Sequence, residues 1–174
     1  EIAVLESLDS GKTITDCLNE VGNEVPNHFQ WYAELIDKSF GKVVPTGEDV
    51  ASFIIKEPIG VVGMVLPWNF PLLMAVWKAA PALAAGCSII LKPAEQTSLS
   101  TIKFADLAAE AGIPDGVLNV LPGFGNVGEA IGKHKDIDAV SFTGSTEVGA
   151  LFMRYSGESN LKTIGLELGG KSPF

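Results

Sequence analysis

Residues 60–93, GVVGMVLPWNFPLLMAVWKAAPALAAGCSIILKP, place two short apolar runs on either side of a longer one. Val61–Leu66 and Ser88–Leu91 are too short for helices and are bounded by Gly or Pro, as buried strands are. Leu72–Ala85 between them has the length of a helix. Taken in order they make strand, helix, strand, the unit that lays two strands parallel. From Ile59 to Trp77 no residue is charged, a run long enough to suggest a membrane span. Gly60, Gly63, Pro67, Asn69 and Pro71 break any single helix there. No basic-then-apolar secretion signal opens the chain. The sequence therefore reads as a soluble protein, or part of one, with no membrane partner.

The same alternation continues downstream. Val117–Leu121, Ala139–Phe142 and Thr163–Leu168 read as strands, and Ser98–Ala111, Val127–His134 and Glu147–Ser156 as helices. Strands and helices alternating at this spacing predict an α/β fold, a parallel sheet with helices on both faces. Upstream, the first forty residues read as a helical lead-in. Ile2, Leu5 and Leu8 follow helical spacing, and Phe29, Tyr32, Leu35 and Ile36 do so after Pro26. Residues 41–50 are a turn-rich connector, and Ala51–Glu57 reads as a strand. Ligands of such sheets bind beyond the carboxyl ends of the strands. That directs attention to PWNFP, KPAEQ, PGFGNVG, TGSTEVG and ELGGKSP.

Composition narrows the function. The chain has 174 residues and a net charge of -9, which argues against a nucleic-acid partner. Hydrophobic residues make up 47%, enough for a core and too many for disorder. The two cysteines, Cys17 and Cys87, cannot form a disulfide scaffold or a four-cysteine zinc site, so a reducing, cytoplasmic location is expected. Both read as small packed residues. His28 and His134 have no motif context and read as surface residues, and no metal site is expected.

Three glycine-bearing loops are candidates for phosphate. Gly123–Gly128 spells G-x-G-x-x-G, and reads equally as a dinucleotide fingerprint or as an ordinary strand-to-helix turn. The acid that completes the fingerprint is missing, since the next strand ends in Thr143–Gly144. Gly165–Ser172 spells the P-loop pattern of nucleoside triphosphatases. Against that reading, Glu167 would sit inside the phosphate cradle, Pro173 follows at once, and no strand ends in a magnesium-binding Asp. In the third, Phe142–Thr143–Gly144–Ser145 runs into a helix opening with Thr146 and Glu147. There Gly admits a ligand to the backbone, and Ser145 either caps the helix or meets an anion, or does both.

EPIGVVGMVLPWNF, KPAEQTSLS, AGIPDGVLNVLPGFG, SFTGSTEVG and LELGGKSPF, in this order, resemble the aldehyde dehydrogenase superfamily, and the resemblance runs from ESLDSGK to ELGGKSPF. It implies a full enzyme roughly three times this length, with cofactor, catalytic and oligomerisation parts. Residues 1–40 would be the lead-in, 41–57 the start of the oligomerisation element, and 58–174 a Rossmann-like NAD-binding domain. The resemblance places the nucleophilic cysteine beyond ELGGKSP, so this stretch alone is expected to bind nucleotide without turning over aldehyde. The whole would oxidise an aldehyde to a carboxylic acid through a cysteine thiohemiacetal and thioester, as a homodimer or homotetramer.

The resemblance also implies roles for individual residues. Asn69 matches the amide that stabilises the oxyanion, and Glu167 the base that activates water. Apolar neighbours of Glu167 are expected to bury it. Lys92 and Glu95 match the pair that holds the adenosine ribose, and Glu95 favours NAD over NADP because it repels a 2′-phosphate. Ser145 matches the pyrophosphate contact and Gly144 gives it room. Val148 and Gly125 belong near the adenine, and Leu66, Pro67, Trp68, Phe142, Thr143 and Leu168 line the cleft. The Gly-rich loop is one residue shorter than the family's usual form. RYSGESNLK hints at a betaine-aldehyde or γ-aminobutyraldehyde substrate. Two rival readings remain, a nucleotide-binding module without catalysis and a P-loop triphosphatase.

Overall fold

Five parallel strands organise the computed structural model, which describes residues 1–171. They are β3 (Val61–Val65), β4 (Ser88–Lys92), β5 (Leu118–Val120), β6 (Ala139–Gly144) and β7 (Thr163–Leu168). Their order across the sheet is β5-β4-β3-β6-β7. β3 is central, with Val61 opposite Ser88 on one side and Val62 opposite Ala139 on the other. Side chains of a strand alternate between faces, and here both faces are covered. Val62, Met64, Ile89 and Leu91 pack with helices α4 (Pro71–Ala84) and α5 (Leu99–Glu110). Val65, Val140 and Phe142 pack with α6 (Gly125–Lys133) and α7 (Thr146–Gly157) through Ile131 and Phe152. Gly63 sits where α6 comes closest, since a Cβ there would stand 2.5 Å from Ile131.

The expected strands and helices are present, with shifted ends. β3 stops at Val65, β6 runs two residues past Phe142, and α6 starts at Gly125 rather than Val127.

Two expectations for the first sixty residues need correction, while the helix expected after Pro26 is present: α2 (Ile14–Asn19) passes through a π-turn at Glu20–Glu24 into α3 (Val25–Leu35). Pro26 lies in the first turn of α3, where its missing N–H costs little. In α1 (Ile2–Ser10) the buried residues are Ala3 and Glu6, whereas Leu8, on the expected apolar stripe, is 76% exposed. Finally, residues 41–50 are more than a connector. They hold β1 (Lys42–Val44), antiparallel to β2 (Ser52–Ile54), which is shorter than the expected strand over 51–57. Val43, Phe53 and Ile55 of this ribbon are exposed. Among the described residues no helix is long and apolar enough to cross a membrane.

The far ends of α6 and α7 are joined by one buried cation. Lys162 is 5% exposed, and its Nζ donates to the Gly132 carbonyl at 2.7 Å and to Ser159 Oγ at 2.9 Å. A cation there satisfies a carbonyl that the last turn of α6 leaves free. Lys162→Met keeps the stem and leaves that carbonyl only the long contact from Ser159 Oγ, at 3.5 Å. The expected loss is about 1.5–3 kcal/mol, read as a lower urea midpoint at unchanged slope.

Candidate functional site

The strand order reverses direction at the centre of the sheet. After β3 the chain builds β4 and β5 on one side, then returns to lay β6 and β7 on the other. The connections leaving β3 and β6 therefore diverge at their carboxyl ends, which opens a crevice between them. A cleft of about 1380 Å³ occupies this place. Leu66, Pro67, Trp68 and Asn69 reach it from the exit of β3, and Lys92 and Glu95 from that of β4. Phe142, Thr143, Gly144 and Ser145 come from the end of β6, Gly125 and Val148 from the first turns of α6 and α7, and Glu167 and Leu168 from β7. Every residue to which the resemblance assigns a catalytic or cofactor role thus lines the same cleft.

Local chemistry fixes several of them. The Leu66 N–H donates to the Lys92 carbonyl at 3.0 Å, tying the exits of β3 and β4 together. Lys92 is buried, and its Nζ donates to the Pro93 carbonyl at 2.9 Å and lies 3.7 Å from Glu95 Oε2. Burial pushes the Lys92 amine below the usual lysine range, and Glu95 pulls it partly back. Ser145 is the N-cap of α7, its Oγ accepting from the Val148 N–H at 3.3 Å. Gly144 has no room for a side chain, since a Cβ would stand 2.6 Å from the Phe142 ring. Thr143 Oγ1 is buried and has no hydrogen-bond partner among the described residues. Asn69 is exposed to the cleft, and its amide has no hydrogen-bond partner among the described residues either.

Glu167 departs from expectation. It is exposed rather than buried among its apolar neighbours, because it shares the exposed face of β7 with Thr163 and Gly165, whereas Ile164 and Leu166 on the other face pack towards Phe152. The glycine-rich loops also sort themselves out. Gly123–Gly128 follows β5, an outer strand, and not the central β3 from which a dinucleotide fingerprint would leave, although Gly125 and Gly128 line the cleft. Of the P-loop pattern, Gly165–Leu168 is strand β7 and cannot form a phosphate cradle, and Ser172 lies outside the described residues. Cys17 and Cys87 are both buried. Cys87 precedes β4 at the amino end of the sheet, opposite the end from which Asn69 emerges.

One cleft residue escaped the sequence reading. Lys78 is half-buried on α4, and its Nζ donates to Ser141 Oγ of β6 at 2.8 Å. Burial lowers its affinity for a proton, and the Glu167 carboxylate raises it again. The signal was visible, because Lys78 is the one charged residue in PLLMAVWKAAPALA. A lone charge in an otherwise apolar helix needs a polar neighbour on another element.

A family model described as the aldehyde dehydrogenase family matches residues 1–174. The chain belongs to the aldehyde dehydrogenase family. It is 56% identical to an aminoacetaldehyde dehydrogenase of Pseudomonas aeruginosa, over 99% of this chain and 35% of that protein. The crystal structure of a γ-glutamyl-γ-aminobutyraldehyde dehydrogenase from Burkholderia cenocepacia superposes with a TM-score of 0.96 at 50% identity, covering 99% of this chain and 35% of that one. A Pseudomonas syringae indole-3-acetaldehyde dehydrogenase, solved in complex with NAD+, is equally similar: TM-score 0.96, 50% identity, and 99% and 35% of the two chains. This chain therefore spans about a third of the length of these aldehyde dehydrogenases.

The influence of the Glu167 charge on Lys78 gives a titration whose sign is fixed. The carboxylate favours the ammonium form, so removing its charge leaves desolvation unopposed. In Glu167→Gln the Lys78 amine is expected to lose its proton at lower pH than in the parent. The pH dependence of Lys78 acylation, or NMR of 13C-methylated lysine, measures this. A shift to higher pH would contradict the arrangement.

Proposed function

We propose that this chain is the cofactor-binding part of an enzyme that oxidises an aldehyde to a carboxylic acid with NAD. The observation that carries the proposal is the convergence of Asn69, Glu167, Lys92, Glu95 and Ser145 on one cleft at the reversal of the sheet, in a member of this family. The cleft suits a dinucleotide in three respects. The N-cap of α7 is a site for an anion, Gly144 keeps the approach open, and the orphaned Thr143 hydroxyl awaits a polar partner. When bound, NAD supplies the hydride acceptor.

Each residue then has a task. Glu95, exposed beside Lys92, accepts hydrogen bonds from the adenosine ribose and disfavours a 2′-phosphate, which selects NAD over NADP. Ser145 and the first turn of α7 hold the pyrophosphate. Val148 and Gly125, from neighbouring helices, take the adenine. Leu66, Pro67, Trp68, Phe142, Thr143 and Leu168 wall the cleft and exclude water. Asn69 presents its uncommitted amide to the oxyanion that forms when a thiolate attacks the aldehyde carbon. Glu167 takes a proton from the water that hydrolyses the resulting thioester. Its exposure leaves it free to reach both water and substrate. The family resemblance puts the nucleophilic cysteine in a later segment: Cys17 is buried in α2, and Cys87, buried along the cleft, stands before β4 at the amino end of the sheet.

Residues 1–40 serve as the lead-in, 41–57 as the oligomerisation element and 58–174 as the cofactor domain. The exposed apolar residues of the β1–β2 ribbon favour coverage by another subunit, in a homodimer or homotetramer. The names of the similar aminoacetaldehyde and γ-glutamyl-γ-aminobutyraldehyde dehydrogenases favour a nitrogen-bearing aldehyde as substrate. Two unpaired thiols favour the cytoplasm.

In the full-length enzyme, Asn69→Ala is expected to lower kcat by ~100 to 1000-fold with NAD affinity retained. Steady-state kinetics beside calorimetric titration of NAD checks this, and unchanged turnover would refute the assignment. Glu95→Arg is expected to weaken NAD binding and strengthen NADP binding, read in the same titration with both cofactors. Unaltered preference would show that Glu95 does not face the ribose.

A further inference from the structure

Helix α4 begins Phe70–Pro71–Leu72, and its first turn does not cap itself. A helix N-terminus leaves its leading N–H groups without intrahelical acceptors. Pro71 has no N–H, and Phe70 at the N-cap offers no side-chain acceptor. The first donor in need of a partner is the Leu72 N–H, on a residue only 1% exposed. Its acceptor comes from 66 positions earlier: Glu6 Oε1 of α1, at 3.4 Å. Glu6 is wholly buried, its other oxygen Oε2 has no partner among the described residues, and burial raises its affinity for a proton. Sinking a carboxylate this deeply is costly when a Ser or Asp at position 70 would cap the helix locally.

Position 70 is instead a second hold. Lys12 Nζ stands 3.7 Å from the centre of the Phe70 ring and is itself gripped by both carboxylate oxygens of Glu20 at 2.6 Å. The lead-in thus grasps residues 70 and 72, on either side of Pro71. Asn69 is the next residue back, and its own side chain has no hydrogen-bond partner among the described residues. Its place is set by the backbone that Glu6 and Lys12 hold. One turn along α1, Asp9 Oδ2 accepts from the Leu99 N–H at the start of α5 at 2.8 Å, so the same helix face anchors two helix starts.

We infer that Glu6 is a positioning residue for Asn69: through the Leu72 N–H it fixes the start of α4, and so the point from which the Asn69 amide reaches the cleft. This rests on the reading of Asn69 as the oxyanion donor. A donor displaced by a fraction of an ångström loses transition-state binding, while the ribose, pyrophosphate and adenine contacts, made by residues that follow β4 and by α6 and α7, stay in place.

The test is a double-mutant cycle in the full-length enzyme, with rates normalised to NAD-binding sites so that unfolded protein does not count. Glu6→Leu, similar in size and without an acceptor, is expected to lower kcat by about tenfold or more, with the NAD dissociation constant within about twofold of the parent. Glu6→Gln keeps the acceptor and should restore kcat to within about threefold of the parent. Glu6→Asp keeps the charge but falls short of Leu72, and stands in for Glu6→Leu if that variant does not fold. In an Asn69→Ala background neither Glu6→Leu nor Glu6→Asp should slow the enzyme further. If the losses multiply instead, or if Glu6→Gln is as slow as Glu6→Leu, Glu6 is only a structural residue and the inference is overturned. An Asn69→Ala enzyme with unchanged kcat overturns the reading of Asn69, and this inference with it.

Discussion

Parallel strands cannot be joined by hairpins, so every connection must cross a face of the sheet and every strand must leave at the same edge. That constraint builds the cleft. Five exits lie along one edge, and the return of the chain from β5 to β6 parts the central pair. No single loop makes the site. The exits of β3, β4, β6 and β7 each contribute one or a few residues, and the sheet supplies the common frame that sets them facing one another. Gly63 shows how tight that frame is, because α6 seats directly on the central strand.

The electrostatics of the cleft repeat one motif. A lysine disfavoured by burial feels the charge of an exposed carboxylate: Lys92 lies 3.7 Å from Glu95, and Lys78 is acted on by Glu167 across the cleft. In each pair the amine sits on the rigid element and the acid on the solvent side. A buried amine gains a definite place from its hydrogen bonds, to the Pro93 carbonyl or to Ser141. The acid keeps its freedom to meet a ligand. The chain's excess of acids is thus not spread blindly, for at the cleft each of these acids faces a cation.

Much of this was legible in the sequence. GVVGMV and SIILK are apolar because both faces of a parallel sheet are buried, and that pattern is local. The loops were legible through Gly and Pro, and their juxtaposition followed from the rule that ligands gather at the strand exits. What was hidden depends on contacts between distant segments. Ile2, Leu5 and Leu8 gave a plausible stripe, yet α1 turns Glu6 inward because its acceptor is needed at Leu72. The π-turn by which α2 runs on into α3 ahead of Pro26 leaves no local sign either. Glu167 looked buried from its neighbours, yet the alternation of β7 turns Leu166 towards the core and Glu167 away from it.

The link between Glu6 and Leu72 also bears on the order of events during synthesis and folding. Contacts of long sequence separation form late, after the loop between them has been closed. The lead-in is made first and emerges with its carboxylate in water, ionised and fully hydrated. It cannot shed that hydration until α4 has been made and offers its free amide. The last adjustment of the Asn69 segment therefore waits on a docking step between chain segments made at different times, and the helical lead-in acts as a template held in reserve for the sheet that follows it.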